Sequence, residues 1–283
     1  MLRPVVMTLA MLVTPLAVAD TFVFTAIPDE DETRLQERFQ KVADYLEDEL
    51  DVEVRFVPVK SYAAAVTAFR NNQVQLAWFG GLSGVQAREQ VPGSQALAQG
   101  VEDARFVTYF IAHESAGLEP SDSLSDNMRD LTFTFGAKGS TSGRLMPEYF
   151  LREHFGEAPE DIFARVGFSD NHSRTVSLVA SGAYQLGAVN YTAWENEVEA
   201  GNVDTDTVQV VWESPQYPDY QWTIRGDADE RFGEGFTDRV RQALLDMDDP
   251  ELLESFPREG FIPASNDDYT IIREIGQELD LID

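Results

Sequence analysis

One short segment carries the strongest chemical signal in this chain: FGAKGSTSGRLMP, from Phe135 to Pro147. It follows a strand-like run, Leu131–Gly136, and opens a helical one. Ser140, Thr141 and Ser142 put three adjacent hydroxyls at that helix start, between Gly139 and Gly143. A helix N-terminus carries unpaired N–H donors and a partial positive charge, so it suits an anion. Ordinary capping would use one hydroxyl, not three. Pro147 has no N–H, so the helix either kinks there or begins with a separate short turn.

Three other helix starts have related chemistry. Lys60-Ser61-Tyr62 follows a second strand, Phe79-Gly80-Gly81-Leu82-Ser83-Gly84 follows a third, and Asn171-His172-Ser173 opens another helix. In an open α/β sheet the loops at the carboxyl ends of strands gather at one edge, where ligands bind. Tyr62, Phe79, Gly80, Ser140, Thr141, Ser142 and His172 are therefore expected around one cleft. There, dipoles and hydrogen bonds supply the local field while distant carboxylates are screened. His172 can donate to a ligand oxygen or cap its helix. Asp170 is the one nearby carboxylate that could accept a ligand proton. If it only caps the following helix, the cleft is donor-only and prefers a dianion.

Other chemistries fit less well. Gly139–Gly143 has the outline of a G-x-S-x-G nucleophile elbow, but its centre is Thr141, and no acid followed by a distant His completes a triad. No phosphate-binding G-x-x-x-x-G-K-[ST] and no G-x-G-x-x-G is present. The acidic run Asp29–Glu32 lacks the spacing of a calcium loop. His113, His154 and His172 have no metal-site spacing, and there is no cysteine, so thiol catalysis, disulfides and Cys-held metals are excluded. No metal or cofactor is expected. A formal net charge of −29 argues against nucleic acid and anionic membranes as partners. Only Lys41, Lys60 and Lys138 are lysines, a bias seen in salt-adapted surfaces.

The elements that must position these residues alternate in type. Thr21–Ile27, Val52–Val59 and Val74–Phe79 read as strands, with helices to about Leu50 and Asn71 between them. Gln95–Gly100 and Phe106–His113 follow as strands. After the polar stretch Glu114–Asp130 the alternation restarts, with strands at Leu131–Gly136, Arg165–Phe168, Leu186–Asn190, Val208–Glu213 and Tyr220–Arg225 and a helical tail. This predicts an α/β protein with mainly parallel sheets in two lobes. Met1–Ala19 has a short basic start, an apolar run and Ala17-Val18-Ala19, the pattern of an export leader cut after Ala19. The expected organisation is residues 1–19 as leader, 20–113 as the first part of lobe one, 114–214 as lobe two, and 215–283 returning to lobe one.

Several segments together resemble the periplasmic phosphonate/phosphite-binding proteins of ABC transporters, and within them a branch labelled selenate-binding. They are FTAIP at Phe24–Pro28, KSYAAAV at Lys60–Val66, QLAWFG at Gln75–Gly80 and GSTSGRLMP at Gly139–Pro147. The order continues with NHS at Asn171–Ser173, YPDYQWT at Tyr217–Thr223 and GFIPA at Gly260–Ala264. The resemblance implies a type II periplasmic solute-binding fold, two α/β lobes with a double-crossed hinge. It implies an anion held by Tyr62, Ser140, Thr141 and Ser142 with help from His172. It also implies a periplasmic location, an inner-membrane ABC permease as partner and no enzymatic activity; the chain is expected to act as a monomer. Binders of aminoalkylphosphonates meet the ligand amine with second-lobe carboxylates. Here Ala188-Val189-Asn190-Tyr191 offers the Asn190 amide and a ring instead, with Glu195 the nearest carboxylate, which favours a small tetrahedral oxyanion. An exported hydrolase using Thr141 or Ser142, and a ligand-sensing partner of a membrane kinase, are the rival readings.

Overall fold

The computed structural model describes residues 20–256 and 258–282. The expected leader and its cut after Ala19 lie outside the described residues. The chain begins with β1 (Phe22–Ala26), α1 (Glu32–Leu50), β2 (Val54–Phe56), α2 (Tyr62–Arg70), β3 (Leu76–Phe79), α3 (Gly81–Gln90) and β4 (Gln95–Gly100). It crosses into β5 (Thr108–His113), β6 (Thr132–Phe135), α4 (Met146–Phe155), α5 (Pro159–Ile162), β7 (Arg165–Phe168), α6 (His172–Ala180), β8 (Leu186–Asn190), α7 (Tyr191–Glu199) and β9 (Val208–Glu213). It returns as β10 (Gln221–Ile224), α8 (Ala228–Phe232), α9 (Phe236–Leu245), α10 (Pro250–Ser255), β11 (Phe261–Pro263) and α11 (Thr270–Glu278).

Two sheets result, ordered β11-β4-β10-β3-β1-β2 and β7-β6-β8-β5-β9. Every residue of β1 is buried, as expected of a parallel central strand covered on both faces. Alongside it α1 turns Leu35, Phe39, Val42, Leu46 and Leu50 inward, and Asp31 caps it by accepting from the Thr33 and Arg34 N–H groups. Phe24, Phe39, Trp78, Trp222 and Phe256 pack against one another at the centre of lobe one.

Two expectations need correction. The sheets are mixed rather than mainly parallel, because β10 and β11 run antiparallel to their neighbours in the first sheet and β5 does so in the second. The chain returns to lobe one alongside the crossing by which it left, so β10 runs back against β4. The first lobe boundary also moves. β5 pairs with β8 and β9, so residues 108–113 belong to the second lobe and not to the first. Its alternating residues suit either sheet, and only the distant partners decide. The crossings meet where Phe106 and Tyr217 exchange backbone hydrogen bonds of 2.8 and 3.0 Å. The sequence reading also saw no helix at α7, where apolar residues are sparse.

Candidate functional site

The hydroxyl segment forms a turn of its own. Thr141–Leu145 is one wide π-type turn, closed by Leu145 N–H donating to the Ser140 carbonyl at 3.0 Å, and α4 begins beyond it with Pro147 in its first turn. Ser140 caps the turn, its Oγ accepting from Gly143 N–H at 2.9 Å. Gly143 fits closely: a Cβ there would stand 3.0 Å from Ser140 Oγ and 3.1 Å from His172 Cε1, so either neighbour would have to give way slightly.

Each hydroxyl oxygen already faces a fixed donor. Ser140 accepts from Gly143. Thr141 Oγ1 accepts from Leu82 N–H at 3.0 Å, across the cleft at the start of α3. Ser142 Oγ lies 3.4 Å from His172 Nε2. The His172 tautomer follows from its other nitrogen: Nδ1 accepts from Asn190 N–H at 3.2 Å, so a neutral ring carries its proton on Nε2. Burial pushes the His172 pKa down to about 4, which keeps the ring neutral. With their oxygens engaged as acceptors, the three buried hydroxyls have protons to give, those of Thr141 and Ser142 within reach of Asp219.

The remaining donors come from lobe one. Tyr62 is the first residue of α2, a helix that Ser61 caps. Its hydroxyl is buried with no hydrogen-bond partner, and burial lifts its pKa far above the ordinary tyrosine value, so it stays a donor. Gly80 sits where β3 ends, and a Cβ on it would come within 3.0 Å of Asp219 Oδ1 and 3.2 Å of Thr141 Oγ1.

The structure adds two carboxylates that the sequence reading missed. Asp219, on the return crossing, is 1% exposed. Its Oδ1 accepts from Gly81 N–H at 3.0 Å while Oδ2 has no partner. Burial raises its pKa to about 6, against the pull of hydrogen bonds from Gly81, Thr141 and Ser142. Asp29, at the carboxyl end of β1, is likewise buried with Oδ1 unpartnered. Burial first, and Glu30 second, push its pKa upward. Its carbonyl accepts His172 N–H at 2.8 Å from the other lobe. Asp29 read as helix-opening acid and Asp219 as part of a loop motif. Only their position at strand ends could have flagged them.

Four sequence expectations change accordingly. The donor-only cleft is overturned by Asp29 and Asp219. Asp170 neither caps nor enters the site. Asn171 is the cap, accepting from Arg174 N–H at 2.8 Å. Asp170 is exposed, lining a cavity of about 170 Å³ with Glu30, Lys60 and Asn171. Phe79 is fully buried in the lobe-one core against Phe69, so it backs the site rather than facing a ligand. Asn190 is spent on support: Oδ1 caps α7 at Ala193 N–H, and Nδ2 donates to the Tyr220 hydroxyl at 2.8 Å. Glu195 is exposed on α7.

The lobes are shut on each other beyond the site too. Arg34 of α1 pairs with Glu197 of α7. Arg34 also reaches Ser173 at 3.5 Å, and Asn196 reaches Glu30 at 3.5 Å. Among the described residues no group of His, Asp and Glu is arranged to hold a metal, and no helix is long and apolar enough to cross a membrane.

A donor turn closed over a cleft between two lobes is the arrangement of a solute receptor, and the comparison with known proteins agrees. Residues 24–269 match the family described as ABC transporter, phosphonate, periplasmic substrate-binding protein. The chain belongs to that family. It is 40% identical, over 91% of its length and 89% of the relative's, to "Probable ABC transporter phosphite binding protein PhnD1" of Prochlorococcus marinus strain MIT 9301. The solved structure of that PhnD1 in complex with methylphosphonate superposes with a TM-score of 0.87, covering 93% of this chain and 99% of that one. The phosphonates-binding periplasmic protein of Escherichia coli K12 is 25% identical over 69% of this chain and 58% of its own length. The fold is the type II periplasmic solute-binding fold, and the family serves ABC transporters as their periplasmic binding component, with a membrane permease as partner.

Proposed function

We propose that this receptor captures a singly protonated phosphorus oxyanion, phosphite or a short alkylphosphonate, and presents it to its permease. The unpartnered Asp219 oxygen carries this reading. The hydroxyls of Tyr62, Ser140, Thr141 and Ser142 suit the charged oxygens of an anion, with His172 Nε2–H holding the Ser142 oxygen behind them. Asp219 suits the one hydrogen-bond donor such a ligand has, its P–OH. Sulfate and selenate carry no proton near neutral pH, so they would meet Asp219 as an unpaired like charge. The names of the Prochlorococcus relative and of its methylphosphonate complex favour the same class.

The hydrolase alternative loses its base. His172 Nδ1 accepts a backbone N–H, so Nε2 is the protonated nitrogen and cannot take the Ser142 proton. No carboxylate stands behind Nδ1 to change that. The receptor is thus not an enzyme in this reading. It acts as an exported monomer in the periplasm, freed of its leader after Ala19. Calorimetry of the mature protein against phosphite, methylphosphonate, aminoethylphosphonate, sulfate and selenate tests the assignment. Phosphite or methylphosphonate is expected to bind best. Selenate binding without phosphite binding would overturn it.

A further inference from the structure

Asp29 combines two connections that no other residue of the site has together. Its main chain ties the lobes, through the 2.8 Å hydrogen bond from His172 N–H to its carbonyl. Its side chain is 3% exposed and leaves Oδ1 without a partner, and its charge acts on the Tyr62 hydroxyl, which has none either. The start of α6 in the opposite lobe closes over the Asp29 loop. Separating the lobes breaks the His172–Asp29 bond and returns this loop to water. Closing them buries the carboxylate.

We propose that Asp29 contacts the ligand as a proton donor, taking up one proton from solvent onto Oδ1 when the lobes close and giving it as a hydrogen bond to the anion. The proposal rests on the phosphorus-oxyanion reading. It divides the labour of two carboxylates that cannot both stay ionised beside a buried anion. Asp219, held by the Gly81 N–H, remains the acceptor for the ligand proton. Asp29 has no backbone N–H from another residue on its side chain, only its own and the Tyr220 hydroxyl, and with Oδ1 still unpartnered it becomes the neutral partner.

The charges around Asp29 point the same way. From its own segment Glu30 repels it, while Arg38 attracts it. Arg38 is committed to Glu30 at 3.3 Å, and Arg34 is shared between Glu30 and Glu197. From α2 comes the neutral Tyr62 and from α6 the neutral His172. Near β10 stand Tyr220, whose hydroxyl offers a hydrogen bond, and Asp219. No cation is left for Asp29 alone, and its raised pKa agrees with protonation in the closed state.

The test counts protons. Titrating methylphosphonate into the mature protein near about pH 6, in buffers of different ionisation enthalpy, gives the protons taken up per ligand. The ligand's own ionisation cancels when wild type is compared with Asp29→Asn. Wild type is expected to take up close to one proton more than the variant, because Asp29 is ionised in the open form and protonated in the closed one. Equal uptake by both proteins overturns the proposal. Isotope-edited infrared spectra of the loaded wild type and of Asp219→Asn cover the case in which Asp29→Asn fails to bind. A protonated carboxyl band in both supports Asp29, and its absence from Asp219→Asn overturns it. If wild type binds neither methylphosphonate nor phosphite in the first titration, the ligand reading itself fails and the proposal falls with it.

Discussion

Replacing Asp219 by Asn should invert the ligand preference. The change keeps the shape of the side chain and removes the charge. Burial has raised the Asp219 pKa from 3.8 to about 6. A shift of that size is roughly 3 kcal/mol of bias against the ionised form in the closed site. A ligand P–OH offsets that bias with a charge-assisted hydrogen bond worth about 1.5–3 kcal/mol. In Asp219→Asn the amide oxygen keeps the Gly81 N–H, which turns the NH₂ group towards the ligand. The P–OH then meets a donor. Phosphite and methylphosphonate should bind about 10- to 100-fold more weakly. Selenate and sulfate gain a donor and lose a repulsion, so their affinity should rise. Calorimetry at neutral pH with all four ligands reads both changes. If Asp219→Asn held phosphite within about 3-fold of wild type and left selenate no better, Asp219 would not be the acceptor, since that is under 1 kcal/mol.

Further outcomes are expected. Combining Ser140→Ala, Thr141→Ala and Ser142→Ala should abolish anion binding in calorimetry, with only about 1 kcal/mol of stability lost through the Ser140 cap; retained affinity would remove the turn from the site. Arg34→Ala leaves Glu30 and Glu197 facing each other across the closed cleft. Because Arg34 is 37% exposed, the cost should be about 1–2 kcal/mol, seen as faster dissociation of every ligand by the same factor in stopped-flow fluorescence. A change in selectivity would instead place Arg34 at the ligand. His172 sets an acid limit. Its folded pKa of about 4 lies below the ordinary 6.5, so the unfolded chain binds the extra proton between those values, and stability falls as pH drops through that window. The loss approaches about 3 kcal/mol by pH 4. Asp219 works in the opposite sense, its raised pKa favouring the folded state as pH falls. Thermal melts of His172→Gln against wild type should therefore show a shallower acid decline in the variant, and identical declines would contradict the buried neutral ring.

Residue type and order alone determined much of this. Three hydroxyls between glycines at a strand-to-helix junction singled out the turn proposed to hold the anion, because a single cap cannot use them all. Tyr62, Gly80 and His172 could be placed beside that turn because loops at strand carboxyl ends gather at one edge. The bounds of β4, β7, β8 and β9 were also legible, since their apolar runs end in clear breaks. Tertiary structure decided what depends on partners far along the chain. The sheet that β5 joins is set by β8 and β9, not by its own alternation. Phe79 and Gly80 are adjacent in sequence, yet one faces the core and the other the cleft, as successive positions at a strand end must. Asp29 and Asp219 lie far apart in sequence among many other acids, and nothing local distinguishes them. Only the tertiary arrangement takes their carboxylates out of water, and with that burial come the unpartnered oxygens that bring them into the proposed site.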